Sequence, residues 1–309
     1  MKHESLYYLA AALLTFAWFC VPPSTHAAKN RNLNISTDRN AEHCSDLKVR
    51  SDGEIAQTAE TFTLSLNEAS ILEIQDSAGR SVMRVRGWDR PDYAVEACKI
   101  AAADDRSSAE ALVHGISVSR SAGRFSTSGP VADNANWQLY FIVHAPKDGR
   151  LDLETKNGPI DVAGISGSLK LRATNGPVAL RDCGGQVEVH TGNGPISFSG
   201  GGGEVHLNAH NGPIALELTG EIWNGAQLEA RTLNGPVSLT LPDAFRSGIR
   251  VETDGNSPMS CNAPACRSAW QNHTSNLRTL QLNGSQDAIR VSTSNGPVSV
   301  RGPGKIRRI

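Results

Sequence analysis

The residues best placed to do chemistry in this 309-residue chain recur as one tetrapeptide, Asn-Gly-Pro followed by Ile or Val. It begins at Asn157, Asn175, Asn193, Asn211, Asn234 and Asn295, at intervals of 18, 18, 18, 23 and 61 residues. A carboxamide repeated at fixed spacing can present donors and acceptors to a ligand, or it can hydrogen-bond to its own copies and hold turns together. The second use needs nothing beyond the repeat and is the one expected. Asn tolerates the left-handed backbone region and Gly enters it without steric cost. The pairs at Gly158, Gly176, Gly194, Gly212, Gly235 and Gly296 therefore read as a structural turn ladder.

Polysaccharide hydrolysis needs two carboxyl groups converging within roughly 5–10 Å. The polar positions beside the repeats offer Glu154, Lys156, Arg172, Glu188, His190, Asn208, His210, Glu229 and Arg231. Three residues before successive asparagines stand Glu154, Arg172, His190, Asn208 and Arg231, a row of mixed charge without paired acids. Such a row reads as a solvated sheet face with cross-strand pairs worth about 0.2–1 kcal/mol each. His190 and His210 fall at different registers and lack a third ligand, so no metal is expected. Nucleophile-elbow, phosphate-loop and zinc motifs are absent. Gly200–Gly203 follows a strand without opening a helix, so it reads as a corner. No catalytic residue and no cofactor is expected.

The flanks say what positions these turns. Six, four and two residues before each Asn the chain is apolar or small, as in Leu151, Leu153, Thr155 and Val187, Val189, Thr191. Three and five residues after it come Ile160/Val162, Val178/Leu180, Ile196/Phe198, Ile214/Leu216, Val237/Leu239 and Val298/Val300. Alternation on both sides of a turn marks two half-buried strands per unit. Asn-Gly alone would suggest a hairpin, but the proline after it has no N–H to close one. The expected fold is therefore all-β, a single-stranded parallel β-helix or solenoid with ~18-residue coils. Ile249, Val251 and Thr253, followed by Asp254-Gly255, read as a decayed copy filling the long gap.

Upstream, Leu72, Ile74, Met83 and Val85 around Gly79 suggest one more coil, and Asp104–His114 a short helix stopped by Gly115. Trp137, Leu139, Phe141 and Val143 alternate up to Pro146. The expected organisation is a signal peptide over 1–27, a flexible lead over 28–58, a β-rich N-terminal cap with that helix over 59–146, repeats over 147–301 and a tail over 302–309. Lys2 and His3, the apolar run Leu6–Val21 and the Thr25-His26-Ala27 site carry the first expectation. That run is shorter than the roughly twenty residues of a membrane span, so an extracytoplasmic chain with no membrane span after cleavage is expected. Export permits disulfides. Cys261 and Cys266, five apart around Pro264, are the first pair, Cys44 and Cys98 the second, leaving Cys183 free. A formal net charge of -1 with interspersed signs gives no nucleic-acid footprint.

Gly87-Trp88-Asp89 at a strand end, the Trp137–Val143 strand closing on His144-Ala145-Pro146, the repeated Asn-Gly units and Leu241-Pro242 together resemble a known family. It is the bacterial putative-adhesin family of exported β-solenoid proteins, and the resemblance covers roughly residues 60–300. The family usually shows Asn-Gly-Asp where this chain has Asn-Gly-Pro, which removes the carboxylate ladder calcium would need. The resemblance implies an extracytoplasmic β-helix and adhesion to a surface, and it brings no catalytic residues. The expected function is a non-enzymatic, monomeric envelope scaffold binding a polymer or protein. The alternative is a carbohydrate-active β-helix enzyme, a polysaccharide lyase or hydrolase with its site between Leu241 and Ile289.

Overall fold

The computed structural model describes residues 31–36, 41–131, 136–254, 257–274, 277–284 and 286–304, with only the backbone of His273. The leader expected over 1–27, Cys20 and residues 305–309 of the tail lie outside the described residues.

The chain shuttles between two sheets. Long strands Arg150–Asn157, Ser168–Asn175, Gln186–Asn193, Gly202–Asn211, Asn224–Asn234 and Asp287–Asn295 lie parallel in one. Short strands Ile160–Ala163, Val178–Arg181, Ile196–Gly200, Ile214–Leu218, Val237–Thr240 and Val298–Arg301 lie parallel in the other. Register follows the repeat: Leu151, Leu169, Val187, Val205, Leu228 and Ile289 stand side by side. The alternating apolar residues of both sheets point inward and are buried. Among the described residues the fold is all-β with one α-helix and two large sheets of 12 and 11 strands, rich in parallel pairs and not closed into a barrel.

The turns differ from the expectation in mechanism. Left-handed glycines occur at Gly79, Gly164, Gly185, Gly203, Gly220, Gly225 and Gly284, and none of the six ladder glycines is among them. Those six are required by close approach instead. A Cβ on Gly176, Gly194, Gly212, Gly235 or Gly296 would stand 2.2 Å from the carbonyl oxygen of the glycine one layer below. Proline fits because its carbonyl alone is used, as in Val178 N to Pro195 O at 3.0 Å and Ile196 N to Pro213 O at 3.0 Å. Its missing N–H leaves glycine carbonyls needing donors, and at three of them a buried threonine supplies one. The hydroxyls of Thr191, Thr232 and Thr293 donate to Gly194, Gly212 and Gly235 O at 3.2, 2.9 and 2.9 Å.

At the N-terminal end the layer Leu72–Gln75 with Ser81–Trp88 sits between the first repeat and a further layer, Arg124–Ser128 with Asn136–Pro146. Antiparallel strands Asp92–Ala103 and Glu54–Ser65 extend the short-strand sheet beyond it. Helix Arg106–Gly115, capped by the Asp105 carboxylate on Ser108 N, buries Ala109 and Val113 there. One apolar core runs from Ala56 to Val300, with no break at residue 146.

The stretch expected as a flexible lead carries structure where it is described. Leu33–Ser36 pairs antiparallel with Lys48–Ser51, and Cys44 is bonded to Cys98. Leu33, Ile35, Leu47 and Val49 pack on Cys98, Ile100, Tyr140 and Ile142, covering the outer face of the short-strand sheet at this end. These four-residue strands belong to no repeat that would reveal them, whereas the Cys44–Cys98 pair is the second one expected. The decayed copy also lies elsewhere than expected: Asp287–Asn295 pairs with Asn224–Asn234, and Gly248–Asp254 lies outside it.

Candidate functional site

The asparagines form one directed chain of carboxamides. Nδ2 of Asn175, Asn193, Asn211, Asn234 and Asn295 donates to Oδ1 of the preceding rung at 2.9, 2.8, 2.9, 2.8 and 2.8 Å. Asn157 ends it by donating to Gly79 O at 3.2 Å. Below that rung the buried Asp76 takes the threonine position and accepts from Gly79 N, Ser81 N, Thr127 Oγ1 and Thr155 Oγ1. The ladder thus uses its polar groups on itself and on the backbone.

The outer face of the long-strand sheet carries the mixed-charge row. Glu154, Arg172, His190, Asn208 and Arg231 are register neighbours, as their spacing implied. Arg172 bridges Asp152 at 2.7 Å and Glu154 at 3.3 Å, and His190 bonds Glu188 at 2.9 Å. That imidazole contact holds the Glu188 carboxyl below its ordinary range. His206 lies 3.6 Å from both Glu204 and Glu229, whereas His210 stands apart in another row. Among the described residues no group of three or more His, Cys, Asp or Glu could hold a metal ion.

The outer face of the short-strand sheet is different in kind. Next to the covered N-terminal end, Arg84, Arg86 and Arg181 converge on Asp161 at 3.7, 2.9 and 2.6 Å. Beyond this cluster the outward row becomes small: Ala179, Ser197, Ala215, Ser238 and Ser299 stand in register. Pro213, Pro236, Pro258 and Pro297 rim this floor on one side. Arg181, Glu217, Thr240 and Arg301 rim it on the other. The result is an open, flat-floored trough running along the stack. Sequence reasoning missed it, although the signal was there in the small residues between the inward Ile, Val and Leu.

The segment between Leu241 and Ile289, where an enzyme site would have been sought, carries four strands before the last repeat begins. It forms Gly248–Asp254, Met259–Cys261 and the antiparallel pair Trp270–His273 and Leu277–Leu282. Ser257-Pro258-Met259 is a degenerate turn copy that the sequence pattern did not reveal: Val298 N donates to Pro258 O at 2.9 Å as other layers do to their prolines. Cys261 is bonded to Cys266, and Cys183 is free and buried.

Among solved structures the chain matches a "putative cell adhesion protein" from Clostridium sporogenes, at 14% identity and TM-score 0.31 over 80% of this chain and 100% of that one. A "putative adhesin" from Bacteroides fragilis matches at 11% identity and TM-score 0.39, over 80% and 97% of the two chains. Another, from Parabacteroides distasonis, matches at 12% and 0.36, over 81% and 98%. The chain resembles structures described as putative adhesins. No family model matches the sequence, and no curated protein matches it. Two disulfides are compatible with an extracytoplasmic location, and no helix among the described residues is long and apolar enough to cross a membrane.

Proposed function

We propose that the chain is an exported two-sheet β-solenoid of ~18-residue coils that acts as a non-catalytic, adhesin-like scaffold. It binds a cell-envelope polymer or protein in the trough of the short-strand sheet. The observation that carries this reading is the uncovered floor of Ala179, Ser197, Ala215, Ser238 and Ser299. Small side chains in register let an extended partner lie against the sheet over many layers. The opposite face supports the reading by contrast, since Arg172 is paired there with Asp152 and Glu154, and His190 with Glu188.

The test is a glycan and surface-protein array probed with the wild-type chain and with Ala215→Arg and Ser238→Arg. Both substitutions face outward and fill the trough without touching the core. Binding that both variants lose, with unfolding midpoints unchanged, is expected. Binding untouched by either variant would remove the trough from the account. Polysaccharide turnover abolished by replacing one acidic residue would favour a carbohydrate-active enzyme.

A further inference from the structure

The order of layers at the C-terminal end is not the order of the chain. Next to Asn224–Asn234 and Val237–Thr240 comes the layer Asp287–Asn295 with Val298–Arg301, and only then Gly248–Asp254 with Met259–Cys261. After Thr240 the chain therefore skips one position, builds the outer layer and its antiparallel pair, and returns to fill the skipped position with its last repeat. That repeat is paired along both edges in both sheets.

The outer layer is matched to the same place. Leu228, Ile289 and Ile249 share one register, as do Ala230, Val291 and Val251, and Thr232, Thr293 and Thr253. Val237, Val298 and Met259 align likewise in the other sheet. Residues 248–261 thus carry inward side chains at the heights needed to pair directly with residues 224–240. They cannot continue the ladder, because five residues separate Thr253 from Met259 where four separate Thr293 from Val298. The last repeat supplies what they lack: Asn295 Nδ2 on Asn234 Oδ1 at 2.8 Å, Gly235 N on Asn295 O at 2.9 Å and Thr293 Oγ1 on Gly235 O at 2.9 Å.

From this we propose that residues 287–301 are a closing insert. Residues 248–261 precede them in the chain and pair first with residues 224–240; the last repeat then displaces them outward and takes the intervening position. No covalent bond changes, since the Cys261–Cys266 bridge lies within one end of the outer layer and moves with it. The device makes a fully laddered stack conditional on the presence of residues 287–301, whatever the outer face binds.

Pulse-labelling hydrogen exchange with mass spectrometry tests this during refolding of the full chain from urea, both disulfides intact. Amides of 228–239 and 249–253 should gain protection together, and those of 289–300 at least about tenfold more slowly. Protection of 289–300 simultaneous with or ahead of 249–253 overturns the proposal. A chain ending at Gln286 gives the second measurement. Its residues 249–253 should stay protected on 228–232. Loss of that protection, or failure of the shortened chain to fold, counts against direct pairing and overturns it too.

Discussion

Replacing Gly194 by Ala puts a methyl carbon 2.2 Å from the Gly176 carbonyl oxygen, more than an ångström inside ordinary contact. The obstacle is backbone on both sides, so the two layers must part locally. The bonds that lengthen are Gly176 N to Asn193 O at 3.0 Å, Val178 N to Pro195 O at 3.0 Å and Asn193 Nδ2 to Asn175 Oδ1 at 2.8 Å. At about 0.5–1.5 kcal/mol net for each, the loss is about 2–4 kcal/mol. Restricting the unfolded chain returns only about 0.4–1 kcal/mol. Gly164 is the informative comparison. It has φ +72° and nothing nearer to an added Cβ than 3.9 Å, so its Ala variant meets only the left-handed penalty, about 1–2 kcal/mol. Asn tolerates that region, so Gly164→Asn should be milder than Gly164→Ala, whereas Gly194→Asn should be at least as damaging as Gly194→Ala. Urea midpoints of the four variants decide it. A Gly194→Ala midpoint close to wild type, or relief by Asn at 194, would refute close stacking as the reason for the glycine column.

Other expectations follow from the same architecture. Deleting residues 176–193 joins Asn175 to Gly194 and preserves both registers, so the shortened protein should unfold cooperatively at moderately lower urea; a nine-residue deletion should be far worse, and equal damage would contradict the stacked layers. Thr232→Val keeps the shape of a fully buried side chain but leaves the Gly212 carbonyl without its 2.9 Å donor, which should cost about 1–3 kcal/mol; an unchanged midpoint would contradict this. Asp105, held at about 2 by the hydroxyl of Ser107 and then the amide and hydroxyl of Ser108, has a folded pKa below its ordinary 3.8. Its stabilisation is therefore complete above that ordinary value and lost as pH falls through about 2. Amide protection in helix 106–115 should fall over that window in wild type and not in Asp105→Asn, and identical profiles would exclude the cap as the cause. Burial pushes the Cys183 thiol up, so in a chain lacking residues 1–27, which carry Cys20, Ellman's reagent should find no thiol in the folded state and one on unfolding. Prompt reaction in the folded state would contradict the buried position.

The repeat was legible because stacking identical layers imposes one period on the sequence. The 18-residue interval, the alternation around each Asn-Gly-Pro and the missing proline N–H were enough to reject hairpins and place the inward rows, which the register confirms residue by residue. The carboxamide ladder followed from the same spacing, and so did the Cys261–Cys266 pair from its local loop. The reason for the ladder glycines was not legible: close approach and left-handed backbone both select glycine, and only the distance to the layer below separates them. The lead strands escaped notice because what holds them is a surface made by Ile100, Tyr140 and Ile142, distant in sequence. The trough depends on which outward positions stand beside each other and on what leaves them uncovered. The position of the last repeat was the furthest from reach. Residues 249–253 and 289–293 carry interchangeable inward patterns, so local sequence allows either order. The structure places the repeat with the shorter turn inside, where it completes the stack of glycines and asparagines, and leaves the longer turn outside it, on the layer that pairs with the antiparallel strand Leu277–Leu282.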